Sequence, residues 1–200
     1  MVQTWSDRAL DTQRMILESA LAEIELNGIL GLRIAEVAKN ARCSMTQIYR
    51  YFGSRDGLLA QVLGDVYEEI LHQATDQYMA RIMKLPTLTI DDLVDTLPSI
   101  FDPGVQRRQE LRLQVLATSV TNQQLKSRLS TITQEQFNLW SRNLDAIEAR
   151  LADGVRLDRR VFTMAIATSL PYYRILLGEV GYTNAEYRQF LKDKLVLTTV

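Results

Sequence analysis

An all-α chain of about nine helices is the fold class this sequence predicts, with a small three-helix N-terminal domain and a larger helical C-terminal one. Three observations carry that expectation. Apolar residues recur at helical spacing along the whole chain, and no run alternates with the period of two that a half-buried strand requires. The four prolines are Pro86, Pro98, Pro103 and Pro171, so the first 85 residues lack the residue that breaks helices. The 200 residues are 46% hydrophobic, enough for a sizeable core and too many for a disordered chain.

Each element follows from local signals. A first helix is expected from Ser6 to Leu26, with Leu10, Leu17, Ala20, Leu21 and Ile24 on one face and Asn27-Gly28 as its stop. Two short helices follow, Ile34 to Asn40 and Met45 to Phe52, before Gly53-Ser54 breaks the chain. A long helix fits Arg55 to Leu85, striped by Leu59, Val62, Leu63, Val66 and Ile70 and ended by Pro86. Asp91 to Phe101 reads as a short helix, and Asp102-Pro103-Gly104 as a turn. Gln106 to Thr118 is the next helix. Asn122 to Ala152 is another, with Leu125, Leu129, Ile132, Trp140, Ile147 and Leu151 inward and Asp153-Gly154 as its stop. Asp158 is placed to cap a helix from Arg159 to Leu177, and Asn184 to cap the last, with Tyr187, Phe190, Leu191 and Leu195 on one side.

Composition excludes several classes of function. A net charge of −1 neither favours nor disfavours a nucleic-acid partner, so charge distribution must decide. One cysteine, Cys43, cannot form an intramolecular disulfide, which suits a reducing cytoplasm. With one histidine, His72, and no paired cysteines, no metal or other cofactor is expected. His72 lacks any partner cluster and reads as a surface or satisfied histidine. Met1 to Gln13 is too charged for a signal peptide. The most apolar run, Val161 to Leu177, contains Thr163, Thr168, Ser169, Pro171 and Arg174, and is expected as a helix buried on two sides, not as a membrane span. Pro171 should kink it near Ala167, either as a tolerated bend or to shape a cavity or a subunit seam. No nucleophile–base pair or phosphate loop stands at recognisable spacing, so an enzyme is not expected.

The informative stretch is Leu32 to Leu59, LRIAEVAKNARCSMTQIYRYFGSRDGLL. It reads as two short helices joined by a tight turn. Ala35, Val37, Ala38 and Ala41 are small or apolar and let the helices cross closely; Ser44 is placed to N-cap the second. Ile48 and Phe52 lie four apart and face inward. Thr46, Gln47, Tyr49, Arg50 and Tyr51 are left around the exposed sides, a set that reads base edges and grips phosphates. From Arg33 to Arg55 there are five basic residues and one acidic, a net +4 on a chain that is otherwise acidic.

Val37-Ala38, Ala41, Ser44, Ile48-Tyr49-Arg50-Tyr51-Phe52, Ser54-Arg55-Asp56 and Leu58-Leu59 closely resemble the N-terminal signature of the TetR family of transcription repressors. The resemblance covers about Arg14 to Val62. It implies a helix-turn-helix DNA-binding domain over residues 1–54 and a helical effector-binding and dimerisation domain over 55–200. The implied partners are a double-stranded DNA operator, a second copy of the chain and a small-molecule effector of unknown identity. The implied DNA-binding residues are Arg33, Arg42, Ser44, Met45, Thr46, Gln47, Tyr49, Arg50, Tyr51 and Arg55. Ser44 to Tyr49 would begin the recognition helix in the major groove, Tyr49 and Tyr51 would touch phosphates, and Arg55 would hold a phosphate at a helix N-terminus. Gln47 would read a base edge, since its amide donates and accepts together.

Three positions depart from the family pattern. Leu32-Arg33 stands where Thr is common, so lost capping is offset by direct phosphate attraction to Arg33. Arg42 occupies a turn position that is usually Gly; a left-handed backbone there costs roughly 1–2 kcal/mol. Cys43 replaces a usual Val and reads as an inert buried thiol more readily than as a redox switch. Phe137, Trp140 and Tyr172 are candidates to line an effector pocket, with simple core packing the equal alternative. The last two helices are expected to pair with those of a partner subunit. A constitutive DNA-binding protein with a filled C-terminal core is the rival reading.

Overall fold

The computed structural model describes residues 3–97, 103–162 and 183–195. Among the described residues the fold is all-α, with nine helical segments. These are α1 (Gln3–Asn27), α2 (Ile34–Asn40), α3 (Met45–Phe52), α4 (Arg55–Ile82), α5 (Ile90–Asp95), α6 (Pro103–Ser119), α7 (Gln123–Glu148), α8 (Arg159–Phe162) and α9 (Asn184–Leu195). The chain divides into two compact units. One holds the residues up to Glu69 together with Leu113–Ile132, and the other holds Ile70–Arg112 and the residues from Thr133 onward.

In the first unit, α1 buries Ile16, Ala20 and Ile24 and ends at Gly28, whose φ of +74° is open to glycine without strain. Leu10, expected inward, is 62% exposed, and Ile16, not singled out from the sequence, is fully buried. Of the face expected, Ala20 and Ile24 are buried, Leu17 and Leu21 half-buried, and Leu10 alone turns outward. α4 contributes Leu58, Leu59, Val62, Leu63 and Tyr67 to this core, with Val66 half-buried. Asn122 caps α7, accepting the Leu125 N–H at 2.9 Å while its amide donates to the Asp56 carbonyl of α4 at 2.9 Å. Gly64 makes the α4–α7 approach possible: a Cβ there would lie 2.1 Å from Arg128 Nε. The Arg128 guanidinium runs across that glycine to bond Gln61 and Asp65.

In the second unit, Tyr78, Ile82, Leu93, Val94, Leu144, Ile147, Phe162, Leu191 and Leu195 form one apolar cluster. Three helices end sooner than the sequence suggests, among them α5, which stops at Asp95 and not at Phe101. α4 ends at Ile82, before Pro86, and Arg150 donates to the freed Met83 carbonyl at 2.9 Å. α7 ends at Glu148, and the chain after it runs as a bridge, with Leu88 N–H to the Arg150 carbonyl at 2.7 Å and Ala152 N–H to the Leu88 carbonyl at 3.0 Å. That pairing satisfies backbone groups with a partner distant in sequence, which periodicity cannot report. α5 starts at Ile90, one residue earlier than expected, because Thr89 and Asp92 form a reciprocal capping box. Pro103 is the first residue of α6 and not a turn residue, the position where its missing N–H costs nothing.

Asp158 caps α8 as expected, accepting from the N–H groups of Arg160 at 2.9 Å and Val161 at 3.2 Å. These bonds hold its carboxyl below the usual carboxylate range. The cap of α9 is Thr183, not Asn184: its hydroxyl accepts the Glu186 N–H at 3.1 Å and Glu186 reaches back to the Thr183 N–H at 2.8 Å. α9 buries Leu191 and Leu195, while Phe190 is exposed. Arg188 donates to the Leu97 carbonyl at 2.6 Å, and Lys192 meets Asp91 at 3.2 Å and Asp95 at 2.9 Å, so α9 is tied to α5 by charge as well as by packing. Most of the apolar run Val161–Leu177, including Pro171, lies outside the described residues.

Candidate nucleic-acid interface

Two short helices and the turn between them place the residues singled out from the sequence. α2 buries Ile34, Val37 and Ala38, and the turn buries Ala41; Ala35, expected at the crossing, is exposed. α2 ends in a Schellman motif. The Cys43 N–H returns to the Ala38 carbonyl at 2.9 Å and the Arg42 N–H to that of Lys39 at 3.2 Å. That motif requires a left-handed residue after the cap, and Arg42 supplies it with φ +52°. Arg42 is the non-glycine residue of positive φ among the described residues, and its side chain is exposed. Cys43 follows, half-buried, with its thiol pushed up by burial. A raised thiol carries little thiolate, which fits an inert thiol and not a reactive one.

α3 opens on a complete capping box. Ser44 Oγ accepts the Gln47 N–H at 3.1 Å, and Gln47 Oε1 accepts the Ser44 N–H at 2.9 Å. Ile48, fully buried, anchors the helix, and Phe52 is half-buried behind it. Met45, Thr46, Tyr49 and Arg50 are exposed, while Gln47 and Tyr51 are half-buried. The Arg50 guanidinium lies 5.1 Å from the centre of the Tyr51 ring and donates to the Tyr51 hydroxyl at 3.3 Å. Gly53, with φ +74°, ends α3, and Ser54 Oγ caps α4 by accepting the Gly57 N–H at 3.0 Å.

The two flanking arginines are engaged within the chain. Arg33, at the N-cap of α2, has no side-chain cap bond and instead donates to Glu23 Oε1 at 3.1 Å. The Glu23 side chain is only 4% exposed, so Arg33 neutralises a carboxylate that α1 buries. Arg55 donates to the carbonyls of Ile29 at 3.1 Å and of Leu30 and Leu32 at 3.4 Å. It thereby staples the start of α4 to the loop after α1. These two engagements depend on partners 10 and 23 or more residues away, and no local pattern signals them.

Of the candidate pocket residues, Trp140 and Phe137 are described. Trp140 stands 6.0 Å from Tyr78 and 5.4 Å from Phe162, ring centre to ring centre. Phe137 is 56% exposed, and Tyr172 lies outside the described residues. One turn before Trp140, Gln136 is 7% exposed; its Nε2 donates to Thr75 Oγ1 at 2.6 Å, and its Oε1 has no partner. The sequence reading missed Gln136, although a lone amide on an inward helical face is a legible signal. His72 is exposed, and no cluster of metal-ligating side chains occurs among the described residues.

Residues 16–62, which span the end of α1, both short helices and the start of α4, match the family described as bacterial regulatory proteins, tetR family. This N-terminal segment is therefore similar to the helix-turn-helix region of tetR-family regulators. The chain is also 42% identical over 52 residues to the HTH-type transcriptional repressor SCO4008 of Streptomyces coelicolor. That match spans about a quarter of each protein, 26% of this chain and 27% of the relative. Among solved structures, the multidrug binding protein EbrR complexed with imidazole superposes with a TM-score of 0.62 at 18% identity, covering 94% of this chain and 96% of its own. A protein from Saccharomonospora viridis in complex with choline gives a TM-score of 0.57 at 22% identity, covering 92% and 97%. At these identities the likeness shows the fold alone, over nearly the full length of the chain. No helix among the described residues is long and apolar enough to cross a membrane.

Proposed function

We propose that this chain is a TetR-family regulator, a cytoplasmic, homodimeric repressor that binds a palindromic DNA operator and releases it when a small molecule binds its C-terminal domain. The observation that carries the DNA-binding half is α3 itself. It is an eight-residue helix closed at its start by a capping box and anchored by Ile48, and it presents Met45, Thr46, Tyr49 and Arg50 to solvent from a segment of net charge +4. Residues 1–54 would form the DNA-binding domain and 55–200 the effector and dimer domain. Arg33, Arg42, Arg50 and Arg55 would attract the phosphates, Tyr49 and Tyr51 would bond to them, and Ser44 to Gln47 would enter the major groove.

Sensing draws support from two neighbours in fold: EbrR was solved with imidazole and with ethidium, and the Saccharomonospora viridis protein with choline. In this chain the unpartnered Gln136 Oε1 beside Trp140 offers a buried acceptor to a donor on an apolar effector. Phe137 and Tyr172 stay in the proposed pocket alongside Trp140. The effector must bind the released state better than the DNA-bound one, or it shifts nothing. α4 gives Arg55–Glu69 to one compact unit and Ile70–Ile82 to the other. Catalysis has no part in this reading.

Selection of binding sites from a random duplex library by the full-length chain, followed by a release screen on the enriched site, tests the proposal. A palindromic site bound by a dimer and released by a compound is the expected result. Equal binding to enriched and scrambled duplexes would refute it.

A further inference from the structure

The first turn of α3 indicates how the operator is read, an inference that rests on the DNA-binding function proposed above. Residues at the start of a recognition helix meet base edges. Three side chains stand there: Met45, Thr46 and Gln47. Gln47 has the chemistry to read adenine, yet its acceptor is spent. Oε1 takes the Ser44 N–H at 2.9 Å and lies 3.2 Å from Ser44 Oγ. Bidentate recognition of adenine needs an acceptor and a donor free together. Turning the amide toward a base would leave the Ser44 N–H, a helix-start donor, without its partner.

Met45 is in the opposite condition. It is 49% exposed at the first position of the helix, with Thr46 exposed beside it. Its thioether neither donates nor accepts strongly, so it selects among base pairs through apolar contact. The apolar feature of the major groove is the C5-methyl group of thymine. We propose that Met45, with the Thr46 methyl beside it, reads thymine through that methyl group, and that Gln47 positions the helix start without reading a base.

Deoxyuridine lacks the C5-methyl group and pairs as thymidine does, so it isolates this contact. The full-length chain is titrated against its enriched site with each thymidine replaced in turn. At one position in each half-site, replacement should weaken binding about threefold to fourfold, the effect of losing one buried methyl-sized contact. Met45→Ala should bind the thymidine and deoxyuridine duplexes equally, and a melting curve for this exposed position shows that it is folded. Gln47→Ala should keep the thymidine sensitivity and lose thermal stability. The proposal is overturned if no thymidine replacement matters, if Met45→Ala keeps the full sensitivity, or if Gln47→Ala abolishes the preference at that base pair. Failure to enrich any site would instead remove the DNA-binding reading on which this inference stands.

Discussion

Replacing Arg42 with glycine should stabilise the chain while weakening its hold on DNA. The Schellman motif that ends α2 fixes a left-handed backbone at this residue, with φ +52°. A side chain with a Cβ costs roughly 1–2 kcal/mol there, because the Cβ crowds the following carbonyl. Glycine removes that cost but has more freedom to lose on folding, which takes back about 0.4–1 kcal/mol. The net gain is about 0.5–1 kcal/mol, a rise in melting temperature of about 1–4 °C for a chain of this size. Arg42→Ala is the control, since it removes the same charge and keeps the Cβ; it should show no such gain. On DNA the two variants should behave alike. Each loses one cation, so the slope of log affinity against log salt should fall by about 0.9 for every phosphate contact removed. Urea denaturation of the free proteins and anisotropy titrations at several salt concentrations measure both quantities. Equal stability of the glycine and alanine variants would refute the strain argument. An unchanged salt slope would refute the placement of Arg42 against the phosphate backbone.

Other expected outcomes follow from the same geometry. Ser44→Ala should destabilise the chain by about 0.5–2 kcal/mol, as N-cap losses do, and Gln47→Ala by less, because it leaves the Ser44 Oγ bond to the Gln47 backbone intact; thermal melts rank the two. Gly64→Ala should cost roughly 1–3 kcal/mol, since the new Cβ would fall 2.1 Å from Arg128 Nε and expel that side chain from Gln61 and Asp65; a denaturation midpoint no lower than wild type would show that Arg128 moves aside freely. The Cys43 thiol, raised by burial, should react slowly with a thiol reagent at neutral pH, with the rate climbing only above the ordinary range near 8.5; fast labelling at pH 7 would revive the redox reading.

The sequence by itself determined the all-α class and, to the residue, the bounds of α2 and α3, because short-range signals decide them. Ser44, Gly53 and Ser54 cap or stop helices through bonds that span three or four residues, and such bonds are written in local spacing. The left-handed turn at Arg42 was legible in the same way, as a departure from a pattern that favours glycine. The family resemblance came from this locally governed stretch. Tertiary structure decided what each candidate side chain is occupied with. Arg55 donates to the loop carbonyls of Ile29, Leu30 and Leu32, and Arg33 to buried Glu23, beside any phosphate that either would attract. The bridge between Leu88 and Leu151, the early end of α7 and the unpartnered Gln136 carbonyl likewise depend on residues some sixty positions apart. Caps and periodicity act within one or two turns of chain, so they specify where a helix starts and which residues share its face. Which polar group is already satisfied is set by whatever the fold brings alongside, and no local pattern encodes that neighbour.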